Sequence, residues 1–285
     1  MAFTPVEAGL KRKVHDASIL LSGECSMIRG LYTSGWSMLA NSKKMDVISN
    51  NLANASTNAY KKDTVVFESF PEVLTRRLND FRSGTNRSGI IGTMELSSDV
   101  GEIFTYYQQG QLAKTENPLD LAIQDGGTSF FTISADDGNG NVRQYYTRDG
   151  SFKLSADGRL ITADGYTVMG ENGPIVLSNG DFTVRPDGTI VQDGEVVDRL
   201  LIRDFVDTTV LRKVGSNLVE VLEDAEDRPF TGVVAQGYLE QSNVNVVKEM
   251  VDMITVTRAY EANQKVIQAQ DSTLEKAVNQ VGAVR

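Results

Sequence analysis

From Met253 onward the chain places a seam residue at alternating steps of three and four: Met253, Val256, Tyr260, Asn263, Ile267, Gln270, Leu274, Ala277 and Val281. That spacing traces one stripe of a long helix with a heptad repeat, the pattern of a coiled-coil seam. A second stripe of the same kind runs near the front through Met27, Leu31, Ser34, Met38, Asn41, Met45, Ile48, Leu52 and Ala55. Matched seams at opposite ends constrain the fold more than any other feature. They predict that the ends pack together and that whatever lies between is carried as an insertion. The same periodicity also permits two ordinary amphipathic helices lying on a globular core. Tyr32, Trp36 and Leu39 add a further stripe beside the front seam, so the apolar arc is wide and reaches more than one neighbour. Ser34 and Asn41 interrupt the seam with polar groups, which weaken packing but fix register.

Composition narrows the classes of function. With 285 residues, a formal charge of −10 and one Cys and one His, the chain suits neither a general nucleic-acid binder nor an anionic-membrane binder. One thiol makes no internal disulfide, and no cluster has zinc-ligand spacing. No apolar run reaches the ~18 residues of a membrane-spanning helix. No H-E-x-x-H, G-x-S-x-G, phosphate loop or dinucleotide fingerprint occurs. The expectation is a non-enzyme with no catalytic, cofactor-binding or metal residues. Residues 1–26 carry Lys11, Arg12 and Lys13 before an apolar run too short for a secretory signal core. Gly23-Glu24 lies where its codons would spell a ribosome-binding site ahead of Met27. The expectation is that residues 1–26 are a non-native extension and that Met27 is the start, which would remove His15 and Cys25 from the protein.

The middle changes period. Ser151–Ser155 and Asp181–Arg185 alternate apolar and polar residues, as half-buried strands do. Asp125-Gly126, Asp137-Gly138, Asp149-Gly150, Asp157-Gly158, Asp164-Gly165, Asp187-Gly188 and Asp193-Gly194 punctuate the region, and Asp-Gly suits the positive-φ positions of tight hairpins. This predicts antiparallel strands closing into a sandwich or barrel, with Val196–Phe205 as a more deeply buried strand. Asp136–Asn141 vaguely resembles a calcium loop but lacks the Gly and closing Glu, so turn chemistry explains its carboxylates. Between the front helix and this region, Val65, Val66, Phe67 and Phe70 suggest one short strand. Arg82 and Arg87 read as a solvated face.

The stretch Asn50-Asn51-Leu52-Ala53-Asn54-Ala55-Ser56-Thr57-Asn58-Ala59-Tyr60-Lys61 should end the front helix, because Asn, Ser and Thr compete with the backbone for hydrogen bonds. It also resembles the N-terminal signature of the bacterial flagellar basal-body rod and hook family, with Asn50, Asn51, Leu52, Ala53, Asn54, Thr57, Tyr60 and Lys61 matching and Ala59 standing where Gly is usual. Asn117–Ile123 with Phe130-Phe131, Tyr146–Phe152, Gln236–Val246 and Arg258–Asn263 are similar to further stretches of that family. The tail resembles the distal-rod member, and Gly170–Ile175 the proximal one.

The resemblance implies an α+β chain: discontinuous N- and C-terminal coiled-coil helices (27–63 and 243–285), a connector (64–115) and an inserted all-β, antiparallel sandwich- or barrel-like domain (116–242). It implies a structural subunit of the flagellar basal body, exported without a cleaved signal peptide through the type III apparatus. Such a subunit polymerises helically with copies of itself and with other rod and hook subunits into the shaft between motor and hook. Leu31, Trp36, Met38, Met45, Ile48 and Leu52 at the front, and Met253, Val256, Tyr260, Ile267 and Leu274 at the back, are the expected assembly contacts, with Asn50–Tyr60 as the joint between layers. A hook-like paralogue, or a secreted adhesin or glycan-binding module on a coiled-coil stalk, are the alternatives. Nothing implies nucleic-acid binding or a membrane span.

Overall fold

The computed structural model describes residues 29–70, 72–76, 90–95, 97–136, 142–178, 180–221 and 225–276, with residue 279. The expected extension 1–26, Met27, Arg82, Arg87, Ala277, Val281 and most of the calcium-loop-like stretch lie outside the described residues. The chain is α+β, with a helix at each end and antiparallel sheets between. It divides into two compact units. One takes in the described residues of Met1–Asp46, Val65–Ile103 and Asp252–Arg285; the other takes in Val47–Thr64 and Phe104–Val251. They are called here the helical unit and the β unit.

Helix α1 spans Arg29–Ala53 and helix α2 spans Val246–Lys276. As expected, α1 stops where asparagines turn on the backbone: Asn54 Nδ2 donates back to the Asn50 carbonyl at 2.9 Å. Asn245 caps the start of α2, its Oδ1 accepting the Lys248 N–H at 3.1 Å. Asn243 is committed elsewhere, as described below. In the helical unit the Val73–Arg76 and Ile90–Met94 strands pair antiparallel, and Trp36 meets Phe70 edge-to-face at 5.1 Å between ring centroids. The patch around Val65–Phe67 belongs to an eight-residue strand, Lys62–Ser69, that pairs with Ser98–Tyr106.

In the β unit, Ser129–Asp136 is the central strand. It pairs with Val142–Thr147, Thr167–Gly170 and Ile202–Phe205. Phe131, Ile133, Phe152, Val168, Ile175 and Ile190 are wholly or almost wholly buried in the main core. A second cluster gathers Tyr107, Phe130, Tyr146 and Phe205. Strand order does not follow chain order, so some expected hairpins are not hairpins. Asp193-Gly194 is a true hairpin turn: it joins Thr189–Gln192 to Glu195–Arg199 with both turn residues at positive φ, 53° and 86°. Asp149-Gly150 is not. Gly150 sits against the Leu121 backbone so closely that a Cβ would collide with its carbonyl, and the glycine serves that approach. Asp125-Gly126 leads from one sheet to another, since Leu121–Gln124 pairs with Val233–Gln236. The expected buried strand Val196–Phe205 is corrected too. Val196 and Val197 lie exposed on an outer strand whose one buried residue is Asp198, in a three-stranded sheet, and apolar burial begins at Leu200.

Candidate functional site

Both helices carry their seams on the covered side. On α1, Ser34 and Ile48 are buried and Leu31, Met38, Asn41, Met45 and Leu52 are half-buried. On α2, Val256 is buried and Met253, Tyr260, Asn263, Ile267, Gln270 and Leu274 are half-buried. Within the helical unit, Asn263 Nδ2 donates to Ser37 Oγ at 2.9 Å, and the Gln270 side chain lies against Gly30. A seven-residue step forward along α1 is thus matched by a seven-residue step back along α2, as in antiparallel neighbours. Outside the seams Ala40 is buried, while the large apolar residues Tyr32, Trp36 and Leu39 on α1, and Val247, Met250, Val251 and Ile254 on α2, are exposed. The last four follow i, i+3, i+4, i+7, one face of the helix.

The Asn50–Lys61 stretch is folded inward in the β unit. Asn51 is 1% exposed; its Oδ1 accepts the Asp63 N–H at 3.0 Å and its Nδ2 donates to the Asp63 carbonyl at 2.8 Å, as a paired strand would. Tyr60 is also buried, its hydroxyl within 3.2 Å of Asn51 Oδ1 and its ring under the Lys213 ammonium at 3.7 Å. Ala59 donates its N–H to the Glu240 carbonyl at 2.8 Å with φ at 57°. That left-handed backbone accounts for the glycine usual there in the resembled family. Asn243 accepts the Lys62 N–H at 2.8 Å and donates to the Tyr106 carbonyl at 2.8 Å. Of the motif residues, Thr57, Leu52 and Asn54 are half-buried, and Asn50 and Ala53 face solvent.

Beneath this stretch lies a network that sequence reasoning missed. Glu240, with no exposed side-chain surface, accepts from Lys61 Nζ at 2.5 Å, from the Gly110 N–H at 2.8 Å and from Arg148 Nε at 2.8 Å. Arg148 also donates to Asp125 Oδ1 at 2.8 Å and to the Ser129 and Ile123 carbonyls. Two cations and two carboxylates are therefore enclosed with a balanced charge. Burial alone would lower Arg148, but the Glu240 and Asp125 carboxylates hold it above the ordinary guanidinium value. Burial would raise Asp125, yet the Arg148 hydrogen bond and charge draw it below the carboxylate range. For Lys61, desolvation outweighs Glu240 and pushes the ammonium down to about 8. The partners of this network lie up to 179 residues apart, so no local pattern announces them. The signal at hand was that Arg148 and Glu240 each sit inside stretches resembling the family.

Among the described residues no group of His, Cys, Asp and Glu is placed to hold a metal ion. No described helix is long and apolar enough to cross a membrane. What the site presents is a set of faces, one inward and clasped, one outward and apolar.

Comparison with known proteins names that arrangement. Residues 31–61 match the family model described as flagella basal body rod protein. Residues 122–198 match the flagellar hook protein FlgE/F/G D1 domain, and residues 235–281 the flagellar basal body rod FlgEFG protein C-terminal model. The chain is 36% identical over 269 residues to flagellar basal-body rod protein FlgG of Buchnera aphidicola subsp. Schizaphis graminum, covering 88% of this chain and 98% of that protein. It is 35% identical over 264 residues to FlgG of Agrobacterium fabrum, covering 86% and 96%. It is 31% identical over 277 residues to the flagellar hook-basal body complex protein FlhO of Bacillus subtilis, covering 90% and 100%. Inward motif, paired terminal helices and these matches agree: the chain belongs to the flagellar basal-body rod protein family, FlgG-type.

Proposed function

We propose that this chain is a structural axial subunit of the flagellar basal-body rod that polymerises through α1 and α2 into the shaft between motor and hook. The single observation that carries the reading is the exposed second stripe on each terminal helix: Tyr32, Leu39 and part of Trp36 on one, Val247, Met250, Val251 and Ile254 on the other. Contiguous apolar surface of this kind is what a partner surface covers. The seams then form a coiled coil within the subunit, and the outer stripes meet neighbouring copies. Residues 27–63 and 243–285 build the inner tube, 64–115 connect, and 116–242 form an outward β domain of sandwich- or barrel-like closure. The solvent-facing Asn50 and Ala53 are the part of the motif available to a neighbouring layer. Leu31, Met38, Met45, Ile48 and Leu52, with Met253, Val256, Tyr260, Ile267 and Leu274, set the helix pairing on which those contacts depend. Partners are further copies, other rod and hook subunits and the type III export apparatus.

Limited proteolysis and circular dichroism of the purified chain test this directly, together with the motility of a deletion strain. The reading expects a resistant core near residues 100–240, cleavable ends, and cells that cannot swim. A lone chain protected along its whole length, or normal swimming without it, would overturn the reading.

A further inference from the structure

We infer that the β unit holds one turn of each terminal helix ready-made, the last of α1 and the first of α2, and that in the lone chain both helices grow outward from these starts. The division between the two units falls inside the helices: residues 47–53 of α1 and 246–251 of α2 belong to the β unit. There the two turns are tied to one strand and to each other. Asn51, 1% exposed, exchanges two hydrogen bonds with the Asp63 backbone and donates to Glu249 Oε2 at 3.3 Å. Glu249, equally buried, takes Lys62 Nζ on its other oxygen. Lys62 and Asp63 begin the Lys62–Ser69 strand. The Glu249 N–H closes the first turn of α2 on the Asn245 carbonyl at 3.0 Å. Its carboxylate stands in that first turn, where the unsatisfied N–H groups of a helix favour negative charge. Ile48 adds a buried apolar anchor on α1.

Outward from these turns the cover thins. Among the described side chains of 252–276 only Val256 is buried, and ahead of residue 47 only Ser34 and Ala40 are. The outer seam also carries Ser34, Asn41, Asn263 and Gln270, polar groups that contribute little packing. Starting a helix is unfavourable by a factor on the order of 10⁻³, whereas adding a residue to a formed turn is close to neutral. A helix that inherits a turn from the β unit is spared that factor. Helical order therefore begins where Asn51 and Glu249 meet and falls off toward residues 30 and 276. Asn51 acts as a positioning residue for α2 from its place on α1. On the assembly reading above, an arriving copy would present two helices already begun together, needing only extension.

Hydrogen exchange read by mass spectrometry on the full chain, in dilute solution, tests this without reference to polymerisation. Amides at 51–54 and 249–254 are expected to exchange within ~10-fold of the central strand 129–136, and those at 31–36 and 268–276 at least ~100-fold faster than the strand. Asn51→Ala should speed exchange at 249–256 by about 10-fold and leave 129–136 unchanged, and Glu249→Ala should do the same at 51–54. Ile254→Ala, at an exposed position on α2, should leave 51–54 as in wild type. Equal protection along the whole of either helix, inner turns exchanging faster than outer ends, or an Asn51→Ala chain whose α2 start exchanges as in wild type would each overturn the inference. Should either variant also lose protection at 129–136, its body has not folded, and the gradient along the wild-type helices decides. Failure of the assembly reading would leave all of these measurements as stated.

Discussion

Replacing Glu240 by alanine tests the buried network at its centre. The carboxylate accepts from Lys61, Gly110 and Arg148, and its side chain has no exposed surface. The enclosed charge is balanced by Lys61 and Arg148 against Glu240 and Asp125, so the variant leaves two buried cations facing one carboxylate. Breaking a buried pair in this way costs about 3–5 kcal/mol. For a body in the ~150–250-residue class each kcal/mol moves the melting temperature by about 2–4 °C, giving a drop of about 6–20 °C. Scanning calorimetry of the full chain reads the transition, with Glu195→Ala at an exposed strand position as the control, expected within ~0.5 kcal/mol of wild type. The double variant Lys61→Met/Glu240→Gln restores the balance, with Arg148 facing Asp125, and should recover more than half of the loss. A Glu240→Ala protein melting within about 2 °C of the Glu195→Ala control would refute the view that this carboxylate holds the body together.

The network also sets a pH dependence. Because the folded value for Lys61 is about 8 and the unfolded value 10.5, the unfolded chain binds the extra proton between them, and stability rises with pH across that window. Lys213, lowered chiefly by burial against the pull of Asp63, acts in the same direction. Urea midpoints should show wild type gaining about 1–2 kcal/mol over Lys61→Met between pH 7.5 and 9.5. Above about pH 10 the phenols of Tyr60, Tyr107 and Tyr146, raised first by burial, reverse the trend. Ala59→Gly should stabilise the body by about 1 kcal/mol in the same titrations, since glycine takes the left-handed backbone without a Cβ. Gly150→Ala forces a Cβ into the Leu121 carbonyl and should destabilise by about 3 kcal/mol or more, read as a lowered urea midpoint. Tyr32→Ser and Val247→Ser, at exposed positions, should leave the melting temperature of the lone chain almost unchanged and abolish swimming of the strain. Swimming at the wild-type rate would remove those stripes from assembly.

The helices were legible because their signal is periodic and local: one seam position follows another without reference to the rest of the chain. The turn at Asp193-Gly194 was legible for the same reason, since two residues specify it. Asp149-Gly150 carries the same dipeptide and does something else, because its glycine answers to Leu121 rather than to its own neighbours. Similar competition decides which asparagine caps α2. Asn243 had the right chemistry, but Lys62 and Tyr106, brought up from far along the chain, used its side chain first. The ionic network was least legible. Lys61, Asp125, Arg148 and Glu240 each look like surface charges in sequence, and only the order of the strands encloses them together. Val196 and Val197 failed in the opposite sense, apolar by type yet placed on an outer strand.

Gln236 bears on how copies of this chain tolerate being crowded. Its amide nitrogen donates to the Phe182 carbonyl at 3.3 Å and its oxygen accepts the Val184 N–H at 3.0 Å. Phe182–Val184 is the terminal strand of its three-stranded sheet, and those two groups are the ones an intruding strand would seize. One side chain therefore imitates a neighbouring strand and then stops. Molecules pressed flank to flank find that border already occupied, and stray strand addition there is blocked by a single glutamine.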